Sequence, residues 1–165
     1  MFAPDWDAAC AGCSFTADHL DGAVAHLAAA GVTFVAVSRA PLEKDRRLQA
    51  AHGLELPRAS SFGSEFNFDF GVSFTPEQQA DEAEYNYRWN EDLRARMPEL
   101  PEATGMSAFA LEQGVVYHTY SAYDRGTDVL SATWQLLDRV PHGRRDDLGW
   151  LRRELRGLAG IATPW

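Results

Sequence analysis

The chain is 165 residues long, 45% hydrophobic and 24% charged, the size and make-up of one globular domain with room for a core. Its formal net charge of −9 repels phosphate backbones, which excludes nucleic acid as a general partner. No window reaches the ~18 consecutive apolar residues of a membrane span, and Met1-Phe2-Ala3-Pro4 does not open a signal peptide, so the expected location is cytoplasmic.

Phe15, Leu20, Val24 and Leu27 recur at helical spacing over residues 14–30, and Gly31 is a natural C′ stop. Residues 32–37 are short, β-branched and almost wholly apolar, as in a strand buried on both faces. Pro41 suits the first turn of a helix running to about His52, closed by Gly53. Residues 58–64 show no period, and Ser60-Ser61 lack the Gly-x-Ser-x-Gly surroundings of a nucleophile, so their hydroxyls are expected to cap a turn. Phe66, Phe68, Phe70, Val72 and Phe74 alternate with polar or small residues, which predicts a strand with a core face.

Thr75-Pro76-Glu77-Gln78 reads as an N-cap, a proline at N1 and a capping-box glutamine, opening a helix toward Arg96. A proline-broken loop follows over 97–105. Residues 106–111 and 115–121, joined through Glu112-Gln113-Gly114, predict a β-hairpin. Thr127 or Asp128 caps a helix carrying Val129, Leu130, Leu136 and Leu137, and a last helix over about 146–158 aligns Leu148, Leu151, Leu155 and Leu158. No repeat or linker divides the chain, so a single domain over 1–165 is expected, with 146–165 a C-terminal helical extension. A parallel-type strand, helices, a hairpin and a late helix, in that order, give the layout of a thioredoxin-like α/β fold.

Cys10 and Cys13, in Cys10-Ala11-Gly12-Cys13, are the only cysteines. At a helix start, backbone N–H groups and the helix dipole favour the thiolate of the first. The pattern leaves three uses open: thiol–disulfide chemistry, an inert pair, or half of a metal site. A structural zinc needs four ligands, and the five histidines show no paired spacing that completes the set; haem attachment fails because Ser14 follows Cys13. Arg39, just past the first strand, is placed at the edge where α/β sheets bind ligands. There it could stabilise a thiolate or hold a carboxylate, or simply pair with Asp69 or Glu43. Arg125, framed by Tyr120 and Tyr123, carries the same two readings, and the alternative for the tyrosines is to pack and hydrogen-bond the loop.

Five motifs in order carry a family resemblance: residues 2–18 around the cysteines, Val37-Ser38-Arg39-Ala40-Pro41-Leu42, Ser60-Ser61-Phe62-Gly63-Ser64, Phe66-Asn67-Phe68-Asp69-Phe70, and Tyr120-Ser121-Ala122-Tyr123-Asp124-Arg125-Gly126. From Phe2 to about Arg144 the chain resembles the bacterial family called domain of unknown function 899, regarded as thioredoxin-like. The resemblance implies a three-layer sandwich, a central mixed sheet flanked by helices. It also implies that the strand normally preceding the cysteines is truncated here. Cys10 would be the attacking thiol and Cys13 the resolving thiol. Two features depart from thioredoxins: Gly12 stands where the redox motif usually has proline, and Thr104-Gly105-Met106, not a proline, leads into the hairpin.

These readings converge on a thiol–disulfide oxidoreductase that needs no bound cofactor, only an external electron donor and a disulfide-bearing protein or small-molecule thiol substrate. Arg39, Arg125, Tyr120 and Tyr123 are its candidate substrate-binding or thiolate-stabilising residues, and no metal is called for. The alternatives are a non-catalytic binding module with inert cysteines, or single-thiol chemistry on peroxide or an electrophile. Trp134, Trp150 and Trp165 leave packing or a homodimer contact open.

Overall fold

Helix α1, Ala11–Asp21, begins directly after Cys10, whose φ of −65° and ψ of 124° hold it outside the helix as the N-cap. The computed structural model describes residue 4 and residues 10–46, 55–80, 83–90 and 102–144. The single helix expected over 14–30 is two: α1 stops at Gly22, and α2 runs Val24–Ala29. Asp21 explains the break. Its carboxylate accepts the backbone N–H groups of Glu55 and Leu56, both at 2.8 Å, and so pins the end of α1 to the segment entering the second strand. Gly31 then ends α2 as predicted. With φ of +78°, it donates its N–H to Ala28 while Val32 donates to Leu27, the paired bonds of a Schellman motif.

Strand β1, Ala36–Ser38, is shorter than the 32–37 run suggested. After a helical turn α3 over residues 42–46, β2 (Arg58–Ser60) pairs with it in parallel, Ala36 opposite Arg58 and Ser38 opposite Ser60. Ala17, Ala36 and Leu56 form a buried cluster with Leu20, Val24 and Phe34 against it. The C-terminal end of α1 is tied to the entrance of β2. Cys10 stands at the opposite end of α1 from this tether.

The phenylalanine alternation is not a strand. Phe66–Asp69 is a helical turn, α4, and only Ser73 makes an isolated bridge, to Glu102. Helical spacing lets Phe66 and Phe70 touch at 4.8 Å between ring centres, while the intervening Asn67 is buried, as is Phe74 of the predicted core face. The capping box at 75–78 forms as read: Thr75 Oγ1 accepts from the N–H of Gln78 at 3.2 Å, and Gln78 Oε1 accepts from the N–H of Thr75 at 2.8 Å. Its helix, α5, is brief, Pro76–Ala80. The chain does not continue helically toward Arg96. Instead β3 (Ala83–Tyr85) and β4 (Arg88–Asn90) make a hairpin turned by Asn86 and Tyr87, with φ of 56° and 60°.

The predicted long hairpin is present as β5 (Gly105–Glu112) and β6 (Val115–Tyr123), turned by Gln113 and Gly114 in the left-handed region. The register shifts between Ala108 and Phe109, and Thr119 is the extra residue. The helix expected from 127 or 128 is a 3₁₀ segment, Asp124–Leu130, followed by a separate α6, Ala132–Leu137. Asp128 does not cap it, because Arg125 and Arg144 take its carboxylate. Trp134 of α6 packs on Phe15 of α1, ring centres 5.0 Å apart, and the Arg144 guanidinium lies over the Trp134 ring at 4.8 Å. A second core holds Phe74, Ala83, Tyr85 and Tyr123. The architecture is mixed α/β, but among the described residues the strands form three separate pairs rather than one central mixed sheet. The expected helix at 146–158 lies outside the described residues.

Candidate active site

Both cysteines are free and half-buried. Cys10 Sγ accepts the backbone N–H of Cys13 at 3.5 Å, and the Cys10 carbonyl takes the N–H of Ser14 at 2.9 Å. The neighbouring Cys13 thiol is the main reason the Cys10 thiol is lowered to about 6. Backbone N–H groups of Cys13 and Gly12 add to it, while burial opposes. Cys13 moves the other way: the neighbouring Cys10 sulfur and burial hold its thiol well above the ordinary range. The result is an asymmetric pair, one sulfur poised as thiolate and the other kept as thiol. Gly12 leaves room beside it, since a Cβ there would meet only Cys10 Sγ, at 4.0 Å.

The carboxylate that Arg39 holds belongs to the chain itself. Arg39 Nη1 donates to Glu102 Oε1 at 2.8 Å, and its guanidinium lies 4.5 Å over the Phe68 ring. Glu102 replaces both partners considered from sequence, Asp69 and Glu43. Its other oxygen accepts from Ser73 Oγ at 2.6 Å and Asn67 Nδ2 at 3.3 Å, and Asn67 Oδ1 accepts from Ser61 Oγ at 2.7 Å. Sequence reading missed this buried network because Glu102 sits in a stretch without period. Ser60 does cap a turn, accepting from the N–H of Phe62 at 3.1 Å and donating to the Ala40 carbonyl at 2.7 Å.

A family model described as "Bacterial protein of unknown function (DUF899)" matches residues 1–156. The chain belongs to this family. No curated protein and no solved structure matches it. The DUF899 match spans the cysteine pair, the Arg39–Glu102 network and the hairpin end. Arg125 of this DUF899 chain is 71% exposed and pairs with Asp128 at 3.0 Å. Tyr120 is exposed on β6, whereas Tyr123 is buried edge-to-face against Tyr85 and Tyr87 and lines a cavity of about 360 Å³. The two tyrosines preceding Arg125 thus have different surroundings, and Tyr123 packs against Tyr85 and Tyr87 rather than framing Arg125. His19 is locked by Phe15 O and Thr133 Oγ1, both at 2.7 Å. No helix among the described residues is long and apolar enough to cross a membrane.

Proposed function

We propose that this DUF899 protein is a thioredoxin-like thiol–disulfide oxidoreductase in which Cys10 attacks and Cys13 resolves. One observation carries the proposal: Cys10 caps α1 with its sulfur on the Cys13 N–H, its thiol lowered to about 6 while Cys13 is raised. At pH 7 a thiol of that acidity is about ten parts thiolate to one part thiol. The Cys10 thiolate attacks one sulfur of a substrate disulfide, forming a mixed disulfide and releasing the first substrate thiolate, which takes a proton from solvent. Cys13 then loses its proton to solvent and attacks Cys10 Sγ. This forms the Cys10–Cys13 disulfide and releases the second substrate thiolate. Two electrons pass to the substrate, and an external dithiol returns them.

The thioredoxin-like part of the proposal draws support from α1 being tied by Asp21 to a parallel strand pair, and from the antiparallel hairpin downstream. The test is turnover of insulin disulfides with dithiothreitol as donor. Cys10→Ser should fall to the uncatalysed rate, and Cys13→Ser should accumulate a mixed disulfide visible as an added mass. Unchanged turnover in Cys10→Ser would overturn the assignment.

A further inference from the structure

The cavity beside Tyr123 has a chemistry the cysteines do not use. Six aromatic side chains line it, Phe68, Phe70, Phe74, Tyr85, Tyr87 and Tyr123. They do not stack. Phe74 meets Tyr85 at 84°, Tyr85 meets Tyr123 at 66° and Tyr123 meets Tyr87 at 72°, so neighbouring rings stand as walls at steep angles. The exposed carboxylates of Asp69 and Glu84 border the space, and no Lys, Arg or His lines it among the described residues. Arg39 lies over Phe68 but is not in the lining, and its charge is met by Glu102 at 2.8 Å. At about 360 Å³ the volume falls in the range of small-molecule sites.

We infer that this aromatic box binds a small organic ammonium cation. Ring faces attract a cation through their quadrupoles, and a quaternary ammonium suits such a site because it is poorly hydrated and cannot be satisfied by one hydrogen bond. The two carboxylates supply the matching charge. Tyr87 points the same way. It sits at the second turn position of the β3–β4 hairpin with φ of 60°, where glycine is the unstrained choice. Its ring is held against Tyr123 at 5.3 Å, with its hydroxyl donating to the Ser121 carbonyl at 3.4 Å. A side chain kept at a strained position is expected where the side chain itself has a use.

Calorimetric titration with choline, against its neutral isostere 3,3-dimethylbutan-1-ol, separates cation recognition from plain apolar filling. Choline should bind saturably and about tenfold more tightly than the isostere. Tyr87→Gly, which relieves the turn and should preserve the circular dichroism and thermal transition, should weaken choline binding severalfold. Glu84→Gln, a surface change, should weaken choline and leave the isostere unaffected. Equal binding of the two compounds, absence of saturable choline binding, or full choline affinity in both variants would each overturn the inference.

Discussion

At Cys10 two effects compete. Burial favours the neutral thiol, while the Cys13 thiol and the N–H groups of the first helical turn favour the thiolate, and the hydrogen bonds win. The lowered acidity has a stability consequence whose sign is fixed. An unfolded cysteine ionises near 8.5, so between about pH 6 and 8.5 the folded chain binds fewer protons than the unfolded one, and stability rises with pH. Cys13, held protonated in the fold, is neutral in both states through most of that window and offsets the rise only toward its upper end, where the unfolded thiol begins to ionise. Urea unfolding of the reduced protein should therefore show stability climbing from pH 6 to 8.5, a climb absent in Cys10→Ser. Parallel pH profiles for the two proteins would contradict it.

Between elements, buried charge does much of the joining. Arg58 of β2 and Asp45 of α3 pair at 2.8 Å with side chains only 6% and 1% exposed. Arg58 Nε and Asp45 Oδ2 find no further partner among the described residues, so each charge depends on the other. Removing one side of such a pair costs about 3–5 kcal/mol, whereas replacing both with apolar residues of similar size is close to neutral. Asp45→Asn should thus lower the urea midpoint sharply, and the Asp45→Leu, Arg58→Met double substitution should recover most of the loss. A single substitution costing under about 1 kcal/mol would show that water reaches the pair. Gly105 marks another tight joint: a Cβ there would lie 2.6 Å from Val72 Cγ1 and 3.2 Å from the Tyr123 ring.

Over the whole molecule, legibility followed locality. The capping box at Thr75 and Gln78, the Gly31 stop and the β5–β6 hairpin are set by neighbours a few residues apart, and all three form as the sequence pattern predicts. The alternation at 66–74 misled because a distant residue decided it. Glu102 needs donors, Asn67 and Ser73 supply them, and the segment folds to bury those polar groups while the Phe66–Phe70 contact settles a helical turn. The β3–β4 hairpin was hidden because Tyr87 occupies a turn position that glycine usually signals. Cys10 and Cys13 were legible as a pair, but their asymmetry was not, since it depends on which sulfur caps the helix and accepts its backbone N–H. Alkylation of the reduced protein by iodoacetamide as a function of pH, read by mass at each cysteine, tests that asymmetry most directly. Cys10 should react with a midpoint near pH 6 and Cys13 should stay slow through neutral pH; a common midpoint near 8.5 for both thiols would contradict it.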